Sequence, residues 1–364
     1  MNRMPSATLT APVPLLGKDR AGAPAADPLA AFQALTKGQP APGWLARPVL
    51  AGWGLPPERT SITLIAVSEN ATFRVSVDGV PVQVLRVHRP GYVEDPSDIA
   101  AELGWVQALS TETAIPVPAV IPLADGSTVL RFWDGDAWWF AVSFAFVAGT
   151  VLEDLDDPTP YYRRIGALTA RMHEHSRGFQ LPDGHSRFSW DLSDMLGRDC
   201  RWGDWRHAVR SDAELRLLER AEASALAAVA DAPRGAEHWG LIHADLRPSN
   251  IMIDGDELTV IDFDDCGFGW YGYDFASALS FIEHRDYAPR LARDWVAGYR
   301  EHAEADDGWL ERACALSMLR RLTMLGWTVT HRADALPGTL FSEQLPGSLA
   351  VAERYLASPS WLLE

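Results

Sequence analysis

The feature that most constrains this chain is a polar island, residues 241–274, set between segments of helical periodicity. Within it two short apolar runs, Ile251-Met252-Ile253 and Leu258-Thr259-Val260-Ile261, flank the turn Asp254-Gly255-Asp256. Apolar, β-branched runs joined by such a turn form a hairpin. A hairpin returns the chain to its starting level, so the segments just outside it are brought to one mouth. Those segments carry Asp245 and Asn250 on one side and Asp262 on the other. A fold that contains this hairpin therefore gathers several hard oxygen groups in one place.

Upstream of the island the period is two. Residues 62–67, 72–77 and 80–87 read as strands, and Asp78-Gly79 joins the last two with the chemistry of a type I′ turn, in which both central residues need φ > 0. Residues 98–109 place Ile99, Leu103, Val106 and Leu109 on one helical face. A second hairpin is expected over 129–133 and 137–144, turning at Asp134-Gly135. From there on helices dominate. Residues 161–176 space Ile165, Leu168 and Met172 for one buried face, and Ser211-Asp212-Ala213-Glu214 is a capping box opening a helix to about residue 230. Further helices are expected over 290–302, 309–330 and 343–356.

The fold class expected is thus α+β. A small antiparallel sheet lobe with one helix, residues 43–148, precedes a larger, mainly helical lobe, residues 149–364. Residues 1–42, dominated by Ala, Pro and small polar side chains, bury too little to offset their ordering entropy. They are expected to be a disordered extension, with 28–35 as one short helix.

Length and charge narrow the function. A chain of 364 residues that is 47% hydrophobic supports more than one core. Its 32 basic against 49 acidic side chains give a formal charge of −17, which opposes the phosphate neutralisation that nucleic-acid binding needs. Acids clustered at a cleft would attract a cationic small molecule, with a solvated acidic surface as the alternative. Cys200, Cys266 and Cys314 form no C-x-x-C pair, so a reducing cytoplasm is expected. The longest apolar runs, such as 138–148, fall short of the ~20 residues of a membrane helix, and no secretory leader pattern opens the chain. No membrane partner is expected.

Phosphoryl transfer needs one carboxylate to orient and deprotonate an attacking hydroxyl, and hard oxygens to hold Mg²⁺ against the phosphates. Asp245, Asn250 and Asp262 are groups of that kind. The run His243-Ala244-Asp245 with Asn250 five residues beyond, followed by an apolar strand and Asp262-Phe263-Asp264, resembles the aminoglycoside phosphotransferase superfamily, which includes choline, homoserine and fructosamine kinases. The similarity runs from about residue 60 to the C-terminal helices and is strongest over 241–278.

The resemblance implies a bilobal, protein-kinase-like fold with ATP between the lobes and Mg²⁺ as cofactor. It makes Asp245 the catalytic base, has His243 brace the catalytic loop, and puts Asn250 and Asp262 on the metal. Asp264 is either a further metal ligand or a capping or solvated acid, and Asp274 ties the loop to the helical lobe. Upstream, Arg86 occupies the place of the ATP-binding Lys, Glu102 that of its helix partner, and Ser68 and Asn70 belong to a compact turn whose backbone N–H groups would meet phosphate. The chain departs from the pattern at Arg86, since Arg is a forked donor rather than a point charge, and it has no G-x-G-x-x-G.

The acceptor implied is a hydroxyl of a small molecule. Asp265, Glu283 and Asp286 are expected to line its entry and favour an amine- or amino-acid-like compound. A Ser/Thr protein kinase of the stress response kinase A type and a silent nucleotide-binding pseudokinase are the alternatives, and oligomeric state is left open. His173 and His175, two apart on a helix, point about 200° from each other and are read as packing groups. Trp202, Trp205, Trp270 and Trp327 are read as core packing, with the walls of a substrate cleft as the alternative.

Overall fold

The structure is a computed structural model that describes residues 28–91, 93, 95–197, 200–330 and 338–364; residues 1–27 of the expected extension lie outside them. The chain divides into two compact units, one formed by residues up to 94 with 121–143, the other by residues 95–120 with 144–364.

In the first unit, helices α1 (Pro28–Gln33) and α2 (Gly43–Gly52) precede strands β1 (Thr60–Val67), β2 (Asn70–Val77), β3 (Val80–His88), β4 (Leu130–Trp133) and β5 (Trp138–Ala145). The strands form one sheet in the order β1-β2-β3-β5-β4, with β1-β2, β2-β3 and β4-β5 antiparallel. The turn between β2 and β3 has φ of 50° at Asp78 and 80° at Gly79, as an Asp-Gly hairpin turn requires. Period-two alternation sends Ala71, Phe73 and Val75 of β2 to the same side as Leu85 and Val87 of β3, where they meet Phe32, Leu45 and Val49.

Burying such a side chain is worth roughly 1.5–3 kcal/mol, which is why the segment ahead of the sheet is held. Residues 28–42, expected to be disordered apart from one helix, are instead ordered. Phe32 is in the core, and residues 38–41 run along β1, with Gly38 N donating to Leu64 O (2.8 Å), Leu64 N to Gln39 O (3.0 Å) and Ala41 N to Ile62 O (2.8 Å). Composition undercounts a segment that borrows its partners from a neighbouring strand. Helix α2 escapes sequence reading because Pro48 sits inside it.

The second unit takes α3 (Pro96–Glu112), β6 (Thr150–Val151), α4 (Tyr162–Gly178), α5 (Leu192–Met195), α6 (Asp212–Val229), β7 (Trp239–Ile242), β8 (Ile251–Asp254), β9 (Glu257–Val260), β10 (Gly267–Trp270), α7 (Gly272–Ala278), α8 (Ala288–Tyr299), α9 (Asp307–Thr330) and α10 (Gly338–Ala357). Asp95 caps α3 by accepting from Ser97 N, and Ser211 caps α6 by accepting from Glu214 N. Helix α9 is buried almost all round and packs against α6, α7 and α10, so it is the axle of the unit. Helices α4 and α8 cross backbone to backbone: a Cβ at Gly298 would strike the carbonyl of Arg163, and one at Gly166 that of Trp295. No helix among the described residues is long and apolar enough to cross a membrane.

Candidate active site

Two small antiparallel ladders build the site in the second unit. Strand β7 ends at Ile242, directly opposite Gly267, where β10 begins, and the β8–β9 hairpin closes with Ile251 opposite Val260. Ile261 N then donates to Asn250 O (3.0 Å). Residues 243–250 and 261–266 are therefore two loops clamped side by side between the ladders. The hairpin argument anticipated their meeting; the β7–β10 pairing, which fixes their outer ends, was not foreseen. His243 cross-links them, since its Nε2 donates to Ile261 O (3.0 Å) while Nδ1 accepts from Asp245 N (3.3 Å).

Both loops carry a non-glycine residue in the left-handed region, Ala244 at φ 64° and Asp262 at 63°. Such residues cost on the order of 1–3 kcal/mol and persist only where their surroundings hold them. For Ala244 the hold is Asp274 at the start of α7, which accepts from Ala244 N (2.7 Å), His243 N (3.1 Å) and His173 Nε2 (2.9 Å). Burial would raise the Asp274 carboxyl, yet the hydrogen bond and charge from His173, helped by His243 and the Ala244 N–H, hold it below the usual carboxylate range. Burial pushes the His173 imidazole below its ordinary value. Its Nδ1 accepts from the Tyr299 hydroxyl (3.0 Å), so this histidine is a packing group bound into the core.

Asp245 is mostly covered, its side chain 19% exposed, and both its oxygens are engaged. Oδ2 accepts from Asn250 Nδ2 (2.7 Å) and lies 3.5 Å from Arg247 Nε; Oδ1 accepts from Arg320 Nη2 (2.5 Å). Asn250 Nδ2 also donates to Asp245 O (2.9 Å), which leaves the amide oxygen Oδ1 as the group available to a cation. Asp262 is exposed beside these residues, and Asp264 and Asp265 follow. Burial, then the charges of Asp264 and Asp245, hold the Asp265 carboxyl well above its usual range, and its buried Oδ1 has no hydrogen-bond partner. A crowd of carboxylates with an amide oxygen suits a hard divalent cation. Among the described residues no three His, Cys, Asp or Glu side chains cluster tightly enough to hold a metal unaided.

Neighbouring elements prop the second loop. Phe263 stacks against His243 (4.6 Å between centroids) and meets Trp105 of α3 edge-on (5.6 Å). Arg187 donates to the carbonyls of Asp264, Cys266 and Asp98, and Trp190 Nε1 to that of Asp265 (2.9 Å).

In the first unit, Ser68 N donates to Asn70 O (3.0 Å), forming the tight turn between β1 and β2. Asn70 lies opposite His88 and Arg86 opposite Thr72 in the β2–β3 ladder, both of them buried. Glu102, on α3, belongs to the second unit and is also buried.

One expectation needs correction. Of the three acids expected to line the acceptor entry, only Asp265 lies by Asp245. Glu283 is fully buried in an ion pair with Arg321 (2.8 Å), and Asp286 is 99% exposed beside Arg354. Trp202, Trp205, Trp270 and Trp327 are all buried, with Trp205 Nε1 bonded to Glu222 and Trp270 Nε1 to Pro233 O, in keeping with their reading as core packing. Sequence reading also missed Arg320 and Arg187. Arg320 had a signal, since Arg320-Arg321 interrupts an otherwise apolar helical run, residues 313–327, and so must be buried in part.

Four relatives share this arrangement of elements or the sequence that specifies it. A solved microcompartment-associated aminopropanol kinase is 35% identical, covering 88% of this chain and 99% of its own, with a TM-score of 0.79. An amicoumacin kinase of Bacillus subtilis (strain 168) is 22% identical over 280 residues, 74% of this chain and 80% of that protein. A solved amicoumacin kinase in complex with AMP-PNP and Ca²⁺ has the same fold at 19% identity and a TM-score of 0.68, covering 85% and 92% of the two chains. The homoserine kinase of Rhizobium meliloti (strain 1021) is 28% identical over 265 residues, 68% and 73% of the two chains. Residues 61–312 match the model of the phosphotransferase enzyme family, APH, and with the two clamped loops and the 35% identity this establishes that the chain belongs to that family.

Proposed function

We propose that the protein transfers the γ-phosphoryl group of MgATP to a hydroxyl of a small amine- or amino-acid-like molecule, with Asp245 as the base. The observation that carries this reading is the fixed carboxylate of Asp245, held at both oxygens and set beside Asn250 and the Asp262 loop. The acceptor oxygen bonds to the γ-phosphorus as the bond to the β-bridging oxygen breaks, ADP leaves, and the acceptor's proton passes to Asp245. Asn250 Oδ1 and Asp262, with Asp264, would hold Mg²⁺, which when bound neutralises charge on the phosphate oxygens. His243 braces the loop. Ser68, Asn70, Arg86 and Glu102 are the residues assigned to the nucleotide.

An amine in the acceptor is supported by the names of two relatives, aminopropanol and homoserine kinases, since both compounds carry an amine and a hydroxyl. Asp265, whose buried Oδ1 has no hydrogen-bond partner, is the acid that would accept a hydrogen bond from that amine. Relatives that act on small molecules disfavour a protein acceptor. The low cysteine content, three in 364 residues, supports a reducing compartment, the cytoplasm.

Two substitutions and a panel test the reading. Asp262→Ala removes a hard ligand and should weaken both MgATP binding and turnover. Asp245→Asn keeps the shape and removes the base, so MgATP binding should persist while acceptor-dependent ADP release falls by roughly 10² or more. Equal responses of both quantities to both changes would show the separate roles to be wrong. On a panel of aminopropanol, homoserine, choline, aminoglycosides, a neutral sugar and a generic protein, an amine should turn over fastest; a neutral sugar far ahead of every amine would sink the acceptor class.

A further inference from the structure

We propose that Arg320 is a positioning residue of the transfer reaction, holding the Asp245 carboxylate at one rotation so that a defined oxygen, Oδ2, receives the acceptor's proton. The inference rests on the reading of Asp245 as the base.

Arg320 lies in the middle of α9 and is 1% exposed, with every donor nitrogen of its guanidinium engaged. Nε donates to Ser280 Oγ (2.6 Å), Nη1 to Ala244 O (2.6 Å) and Tyr273 Oη (3.2 Å), and Nη2 to Asp245 Oδ1 (2.5 Å). The Tyr273 ring also lies under the guanidinium, 5.2 Å away. A planar fork with this many fixed partners has one orientation. The side chain it fixes is Asp245, and the backbone it fixes is Ala244, the left-handed residue just before it.

Ala244 is thus gripped on both sides, its N–H by Asp274 and its carbonyl by Arg320. The other anchor, Ser280, precedes Phe281, again a non-glycine residue in the left-handed region at φ 71°. Strained backbone on both sides of one buried arginine marks a constellation whose geometry is over-determined. The two Asp245 oxygens are unequal in consequence. Oδ1 is held by Arg320 Nη2 at 2.5 Å, whereas Oδ2 accepts from Asn250 Nδ2 at 2.7 Å and lies 3.5 Å from Arg247 Nε. Oδ2, the oxygen that Arg320 does not bind, is the edge offered to the acceptor hydroxyl.

Arg320→Lys keeps the charge but cannot reach Ser280, Ala244 and Asp245 together. A misplacement of about 1 Å costs on the order of 10²-fold in rate. With the fastest acceptor of the panel, kcat of Arg320→Lys should fall by roughly that factor while KM for ATP and the affinity for Mg²⁺·AMP-PNP stay within about threefold. In the Asp245→Asn background the same change should lower kcat no further. Losses that multiply across the double variant, or a loss in nucleotide affinity with kcat unchanged, would overturn the assignment. Should Asp245→Asn alone leave kcat intact, the base reading fails, a result distinct from failure of the Arg320 proposal. If Arg320→Lys does not fold, Ser280→Ala and Tyr273→Phe each remove one tether. Each should then lower kcat several-fold in wild type and not in Asp245→Asn, and an unchanged kcat in both counts against the proposal.

Discussion

Asp274 shows how one side chain sets the geometry of a site it does not enter. It receives three hydrogen bonds, two of them from consecutive backbone N–H groups of the catalytic loop, and has no exposed surface. Asp274→Ala would strand those donors in the core and release the strained Ala244. Breaking a buried charged group of this kind costs about 3–5 kcal/mol, so the urea midpoint should drop by an amount worth about 3 kcal/mol or more with an unchanged slope. A drop under about 1 kcal/mol would mean that water replaces the carboxylate. Arg86 raises the complementary question on the nucleotide side. Arg86→Ala should weaken MgATP binding severalfold or more in calorimetry, and an unaltered affinity would assign the phosphates to other groups. The sequence named both residues. It did not name Arg320, because nothing in local pattern says which buried arginine of α9 reaches the loop.

At the scale of elements, the site depends on how closely helices approach. The glycines Gly166 and Gly298 let α4 and α8 cross with backbone in contact, which brings His173 and Tyr299 together under Asp274. Overpacking by one methyl typically costs 1–3 kcal/mol. Gly298→Ala, whose new Cβ would meet a carbonyl oxygen rather than a pliant side chain, should cost at least about 2 kcal/mol in urea unfolding. Because the strain is passed to α4, turnover should fall as well. A variant as stable as wild type would show that the helices separate at little cost. Element boundaries were largely legible. The two early hairpins, the capped helix α6 and the β8–β9 hairpin follow from turn chemistry and periodicity, which act within a few residues. Helix α2 and the edge pairing of residues 38–41 were not legible, since one carries an internal proline and the other takes its hydrogen bonds from β1.

For the whole molecule, histidines whose imidazoles are held below their ordinary value couple stability to pH. Burial, then the charges of Arg321 and Arg285, lower the His284 imidazole from 6.5 to about 4, and burial lowers His173 as well. A group whose pKa is depressed on folding gives stability that is present above its unfolded value and lost as pH falls. Between pH 6.5 and about 4 the unfolded chain takes up protons that folded His284 refuses, so the urea midpoint should fall on acidification. His284→Gln should lose less over that interval than wild type; equal losses would show that His284 takes no part. What the sequence determined by itself was the set of polar groups and its order along the chain: Asp245, Asn250, Asp262 and Asp264 around a hairpin, with strands before and helices after. Those depend on residue identity and on contacts within a few positions. The tertiary structure decided which distant groups complete the site. It turned Glu283 inward to Arg321, left Asp286 in solvent, and brought Arg320 and Asp274 to opposite sides of Ala244. The reason is physical. A buried charge takes the partner that packing presents to it, and packing is settled by helix crossings that no window of sequence contains.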